Sequence, residues 1–170
     1  WYTLLLSLVF LELKIKIHNT NAIVPTKAGD DEVGYDLTAI SFVKKLSPVT
    51  FMYDTGISVK PPEGYYTEIV PRSSIVKSGF ILANSIGIID PTYRGTLKIV
   101  LHKVVMKDGE GHNGNGVQIA CRPLTTPFTL CQLVIRKMEK ATLTVVNCLD
   151  ETFRGDGGFG STDSERLGKG

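Results

Sequence analysis

Four short stretches carry charged and hydroxyl side chains, three of them among glycines, in ways that core packing does not require. Gly34-Tyr35-Asp36-Leu37 sets an acid next to a glycine at the start of an expected strand. Pro71-Arg72-Ser73-Ser74 offers a guanidinium and two hydroxyls. Arginine's fork matches phosphate oxygens, and hydroxyls can donate to bridging ones. Asn84 to Gly95 reads NSIGIIDPTYRG and carries Asp90 and Tyr93. Arg154 to Thr162 reads RGDGGFGST. Its glycines let backbone amides close over an anion, Arg154 supplies charge, and Phe159 supplies a stacking face.

Each stretch alone has a plainer explanation. Arg72-Ser73-Ser74 reads equally as a solvated turn, Asp36 as a turn cap, Asp90 before Pro91 as a turn start, and the glycine-rich tail as a linker. Together they supply a polyphosphate clamp, an acid or base, a metal-compatible carboxylate and a lid. Lys107–Gly116 also collects glycines around His112, Asn113 and Asn115. It lacks the Lys-Ser/Thr of a P-loop and no helix pattern follows, so it reads as a flexible surface hairpin.

The elements that must position these groups are β-strands. Leu13, Ile15 and Ile17 alternate with Lys14 and Lys16, as in a half-buried strand. Further β-rich runs are Leu37–Val43, Thr50–Val59, Tyr65–Val70, Gly79–Ala83, Thr96–Val105, Phe128–Arg136 and Ala141–Val146. Turn chemistry such as Pro61-Pro62-Glu63-Gly64 separates them. No segment sustains a helical period, and Ser73–Ser78 has room for one helical turn. Many short strands with Gly/Pro turns read as an all-β sandwich or barrel. Residues 1–153 are expected to form one β domain and 154–170 a flexible arm.

Length and composition fit that picture. The chain has 170 residues, 42% of them apolar and 21% charged, with a formal net charge of +2. That charge is too small to make nucleic acid or an anionic membrane the main partner. Cys121, Cys131 and Cys148 match no zinc spacing and read as small buried hydrophobes of a reducing compartment, cytoplasmic or nuclear. The apolar run at residues 1–13 is broken by Glu12 and falls short of the about 20 residues that span a bilayer. It lacks a basic leader, and it reads as a buried strand or as residues foreign to the native start.

The order and content of these stretches resemble the trimeric dUTPase family. GYDL at 34–37 resembles motif one, PRSS at 71–74 motif two, and NSIGIIDPTYRG at 84–95 motif three. LCQLV at 130–134 resembles motif four, and RGDGGFGST at 154–162 motif five. The resemblance implies a jelly-roll-like β-barrel or sandwich and a homotrimer with active sites between subunits. It also implies a C-terminal arm that closes over a neighbour's site. It implies hydrolysis of dUTP to dUMP and pyrophosphate, with Asp90 orienting and deprotonating the attacking water. A Mg²⁺ ion would bridge the phosphates, supported through water by Asp36. Asn84 and the backbone of Ile88 and Ile89 would read uracil, and Tyr93 would pack on the deoxyribose and exclude a 2′-hydroxyl. Arg72, Ser73, Ser74 and Gln132 would serve the phosphates, and Lys98 would line the nucleoside pocket. Arg154 would grip the γ-phosphate while Phe159, followed by Gly160, stacks over the base.

This sequence departs from the family pattern in motif four. Pro127, Thr129 and Cys131 stand where glycine, arginine and alanine are usual, and Ser74 replaces a common glycine in motif two. Two rivals use the same scaffold. A dCTP deaminase needs a glutamate on the strand leaving the hairpin, but Thr96–Leu101 reads TLKIVL, without an acid. A non-enzymatic nucleotide-binding relative would have no need of Asp90.

Overall fold

The computed structural model describes residues 11–104, 111–112, 118–119 and 121–158. They fall into two units, the first running through Glu139 and the second from Lys140.

The first unit is all-β, with one 3-10 turn at Ser73–Lys77. Its strands are β1 (Lys14–Ile17), β2 (Tyr35–Ala39), β3 (Ser41–Ser47), β4 (Thr50–Asp54), β5 (Ile57–Lys60) and β6 (Tyr65–Pro71). Then follow β7 (Phe80–Leu82), β8 (Gly87–Ile89), β9 (Lys98–Lys103), β10 (Gly111–His112), β11 (Gln118–Ile119) and β12 (Phe128–Lys137). Two four-stranded antiparallel sheets dominate, ordered β2-β12-β6-β8 and β3-β4-β9-β7. Two antiparallel pairs, β1-β5 and β10-β11, complete the set.

Alternation along β4 and β9 builds one side of the core. Along β4 and β9 every second residue is buried, which sends Phe51, Tyr53, Ile99 and Leu101 inward. Leu37, Ala39, Ile69, Cys131 and Leu133 from the other sheet join them in one apolar cluster. Two sheets sharing one core make a sandwich. Aromatic edges lock it, with Tyr53 and Phe128 centroids 4.8 Å apart and nearly perpendicular.

Two of the expected runs are broken. Thr50–Val59 divides into β4 and β5 at Thr55-Gly56, where Gly56 has φ +71°. A Cβ there would lie 2.7 Å from Ile40 Cδ1, so both conformation and space require glycine. Leu37–Val43 divides at Ile40, whose N–H donates to the Asp54 carbonyl at 2.8 Å instead of continuing the β2 ladder. The expected helical turn at Ser73–Ser78 is the 3-10 turn. Most of Lys107–Gly116 lies outside the described residues, apart from the paired backbone of β10.

The expected strand Ala141–Val146 does not form. In the second unit this segment has no regular secondary structure, with Leu143 94% and Val145 98% exposed. Its alternation is that of a strand, and a strand without a partner to bury its apolar face has nothing to hold it. Cys121 and Cys131 are buried and outside any disulfide, as expected, whereas Cys148 is exposed. Burial pushes the Cys131 thiol up to about 12. Among the described residues no helix is long and apolar enough to cross a membrane. Residues 1–10, the bulk of the apolar N-terminal run, lie outside the described residues.

Candidate functional site

Three neighbouring strands bring motifs one, two and four to one place. In the order β2-β12-β6, Asp36 on β2 is directly opposite Gln132 on β12, which is directly opposite Val70 on β6. Leu37 and Cys131, also opposite each other, face the core, so Asp36 and Gln132 point away from it. Arg72 follows the end of β6 and reaches back across β12. Its Nε donates to Asp36 Oδ1 at 2.9 Å and its Nη1 to the Thr129 carbonyl at 3.0 Å. The Arg72 backbone N–H donates to the Leu130 carbonyl at 2.9 Å. Gln132 Nε2 donates to the Pro71 carbonyl at 3.2 Å.

Asp36, Arg72, Ser73 and Gln132 line an open cavity of about 320 Å³ together with Glu32, Val33 and Gly34. Ser73 and Ser74 open the 3-10 turn with exposed side chains. Gly34 lets the chain pass directly over Gln132, since a Cβ at that position would overlap the Gln132 amide. Thr129 stands where the family arginine is usual. Its hydroxyl is hydrogen-bonded to Thr38 at 2.8 Å, and its carbonyl is taken by Arg72.

Motif three forms a second group, which does not line that cavity. Residues 83–86 carry the chain from β7 in one sheet to β8 in the other, turning at Ser85 with φ +58°. Asn84 is exposed, and its Nδ2 lies 3.3 Å from where a Gly87 Cβ would be. Among the described residues β8 is an edge strand paired only with β6, Ile88 opposite Glu68 and Ile89 opposite Thr67. Its outer backbone edge is therefore open to a ligand. Asp90 follows, exposed, and among the described residues its carboxylate has no hydrogen-bond or ion-pair partner. The Asp90 carbonyl accepts from Tyr93 N–H at 3.0 Å, closing a turn. The Tyr93 ring lies across Gly95, where a Cβ would overlap it, and its hydroxyl donates to the Thr96 carbonyl at 3.2 Å.

Lys98 faces Asp54 directly across the β9–β4 ladder. Its ammonium pairs with Asp54 Oδ2 and donates to Thr96 Oγ1 at 2.5 Å. Thr96 Oγ1 also donates to Asp54 Oδ2 at 3.1 Å, and Gly56 N–H donates to Oδ1 at 2.9 Å. Burial works to raise the Asp54 pKa, but the bonds from Lys98, Gly56 and Thr96 outweigh it and hold the carboxyl below its ordinary value.

In the second unit Arg154 is exposed and folds into a local turn. Its Nε donates to the Gly157 carbonyl at 2.9 Å, and its own carbonyl accepts from Gly157 N–H at 3.0 Å. Phe159 and Gly160 lie outside the described residues.

Among the described residues no group of three or more His, Cys, Asp or Glu converges as a metal cage. The carboxylates at the cavity are Glu32 and Asp36, the latter shared with Arg72. Such a set suits a hard cation carried mainly by phosphate oxygens and water. Sequence reasoning missed Glu32 at the cavity and Asp54 and Thr96 around Lys98. Only strand register brings Asp54 to Lys98, and a single sequence does not display register.

Comparison with known proteins finds relatives that span nearly the whole chain. The deoxyuridine 5′-triphosphate nucleotidohydrolase of Escherichia phage T5 is 34% identical over 161 residues, covering 90% of this chain and 99% of its own. The Finegoldia magna protein of the same name is 35% identical over 156 residues, covering 88% and 99%. In fold, the chain matches a variant of the Staphylococcus bacteriophage 80alpha dUTPase solved with dUpNHpp. The TM-score is 0.70 at 24% identity, over 89% of this chain and 98% of that one. A dUTPase family model matches residues 20–114, which hold Asp36, the Arg72 turn and the whole Asp90 hairpin. With near full-length relatives on both sides of that match, the chain belongs to the dUTPase family.

Proposed function

We propose that this protein is a dUTP diphosphatase, hydrolysing dUTP to dUMP and pyrophosphate. The observation that carries this reading is the full-length similarity to deoxyuridine 5′-triphosphate nucleotidohydrolases, 34% identity over 90% of the chain. The absence of a carboxylate from β9 counts against deamination of dCTP on the same scaffold.

The roles follow from what each side chain presents. Asp90, exposed and with no partner among the described residues, is free to take a proton from water at the α-phosphorus. Asn84 and the open β8 edge at Ile88 and Ile89 supply donors and acceptors for uracil. Tyr93, laid over Gly95, covers the deoxyribose, and Lys98 stands behind it. Arg72, Ser73, Ser74 and Gln132 hold the phosphate chain. Arg72 is already oriented by Asp36, so little freedom is lost when phosphate arrives. Arg154, Phe159 and Gly160 of the arm close over the nucleotide, Arg154 on the γ-phosphate. Mg²⁺ is the fitting cation, and when bound it supplies charge neutralisation on the phosphates. Asp36 would support its water shell.

The protein works as a homotrimer with sites between subunits. Supporting this, the second unit presents Leu143, Val145 and Leu149 to solvent at 94%, 98% and 82% exposure. An alternating apolar segment so exposed is suited to burial against another copy. No nucleic acid or membrane enters the reaction.

The test is a nucleotide panel with Mg²⁺ and purified protein. Pyrophosphate release confined to dUTP is expected. Unchanged dUTP at high enzyme, or ammonia from dCTP, overturns the reading.

A further inference from the structure

Asp54 belongs to none of the stretches that drew attention in the sequence, yet it anchors the exit of the Asp90 hairpin. Residues 96–98 are sewn to 54–57 on the backbone. Thr55 N–H and Oγ1–H both donate to the Leu97 carbonyl, at 3.1 and 2.9 Å, and Leu97 N–H donates to the Ile57 carbonyl at 2.8 Å. Onto this frame Asp54 draws two side chains, the Lys98 ammonium and the Thr96 hydroxyl, which also bond each other. The Asp54 carboxylate is fixed in turn by Gly56 N–H. Thr96 is the hinge of the arrangement. Its hydroxyl is held by Asp54 and Lys98, while its carbonyl accepts the Tyr93 hydroxyl at 3.2 Å.

That last bond is long and exposed, and water competes for it. Alone it would hold the ring weakly. It orients Tyr93 only to the extent that the Thr96 carbonyl is itself immobile. The pairing also changes what Lys98 can do. An ammonium already neutralised by a carboxylate and hydrogen-bonded to a hydroxyl has little charge to offer a phosphate.

We infer that Asp54 is a positioning residue for sugar recognition: through Lys98 and Thr96 it fixes Tyr93, and Lys98 serves this brace. The inference rests on the reading of Tyr93 as the group that covers the deoxyribose and rejects a 2′-hydroxyl.

The experiment compares dUTP and UTP hydrolysis by wild type, Asp54→Asn, Asp54→Glu and Tyr93→Ala, with thermal melts to verify folding. Asp54→Asn is expected to raise the dUTP KM by about tenfold and lower the dUTP/UTP preference by a similar factor, the scale of one lost charge-assisted bond. Its kcat for dUTP should stay within about twofold, since the water-activating group is untouched. Asp54→Glu, which keeps the charge, should recover part of the preference. A Tyr93→Ala protein with wild-type preference overturns the reading of Tyr93 and this inference with it. A lowered preference in Tyr93→Ala beside a wild-type preference in Asp54→Asn overturns the inference alone. If Asp54→Asn does not fold, Thr96→Val is read in its place: lowered preference upholds the brace, and unchanged preference overturns it.

Discussion

Arg72 reaches across an entire strand to meet Asp36, Nε to Oδ1 at 2.9 Å, while its Nη1 caps the Thr129 carbonyl of the strand it crosses. One guanidinium thereby ties β6 to both β12 and β2 at the mouth of the cavity. Both partners are more than one-third exposed, Arg72 at 36% and Asp36 at 43% of their side chains. An exposed pair contributes little to stability, typically about 0–1 kcal/mol. Its value lies in orientation.

Arg72→Met should therefore separate stability from function. The melting temperature is expected to fall by only a few degrees, on the scale of a surface pair. The kcat/KM for dUTP should fall by about 100-fold, as for loss of a charge that stabilises a transferring phosphoryl group. Melting curves and steady-state kinetics on the same preparation check this. A large loss of Tm with normal kinetics in the surviving protein would make Arg72 a structural residue.

Gly34→Ala tests the close approach beside it. The new methyl would overlap the far end of the Gln132 side chain, which can rotate away. The expected outcome is a small stability change, below about 1 kcal/mol, with Gln132 displaced from the cavity. The dUTP KM should then rise to match that of Gln132→Ala, and the double variant should add nothing further. Additive effects would show that the glycine acts independently of Gln132.

Much of this architecture is legible in the sequence, and the parts that are not share a cause. β9 is visible because its alternation is local and its burial follows it, and β12 because it is one continuous β-rich run. The turn at Ser73–Lys77 is visible because one short polar stretch interrupts β-rich runs. Asp54 is invisible because its meaning comes from standing opposite Lys98, and register is a tertiary property. Thr129 gave a similar lesson. A missing arginine reads as a gap in the sequence, whereas in three dimensions a hydrogen bond from Thr38 to Thr129, or the reverse, occupies the position. Ala141–Val146 has a strand's pattern without a strand's partner, so pattern alone overstates it.

Acid stability should report two carboxylates. Asp54 is held below its ordinary pKa by Lys98, Gly56 and Thr96 against the opposing effect of burial. Glu68 is held low by the Tyr66 hydroxyl at 2.8 Å, against burial, with Arg136 at 3.0 Å assisting. A carboxyl whose folded pKa lies below its unfolded one adds stability above the unfolded value, about 4. That stability is lost as pH falls through the folded pKa. Urea midpoints should therefore drop from pH 7 toward pH 3. Asp54→Asn and Glu68→Gln should each be less stable at pH 7 and decline less steeply. A decline as steep as wild type in both variants would assign the acid sensitivity elsewhere.

Asp90→Asn should abolish turnover while sparing binding. The side chain is exposed and bonded to nothing among the described residues, so the amide should not perturb the fold. Losing the base and its charge is expected to cost about 10²–10⁴-fold or more in kcat. Affinity for a non-hydrolysable dUTP analogue, measured by calorimetry, should stay within a few-fold. Turnover near wild type would remove Asp90 from the chemistry.

The second unit offers the sharpest test of assembly. Leu143 and Val145 are almost wholly exposed, and burying each such side chain stabilises by about 1.5–3 kcal/mol. If another copy covers them, Leu143→Ser with Val145→Ser should shift a trimer toward monomer in analytical ultracentrifugation, because each polar replacement forfeits that burial in every subunit. Truncation before Arg154 leaves both residues in place, so it should keep the trimer and slow turnover, since only the closing arm is removed. The two variants thus part assembly from closure. A monomeric wild type would reject the shared site, and a truncated protein with normal kinetics would reject the lid.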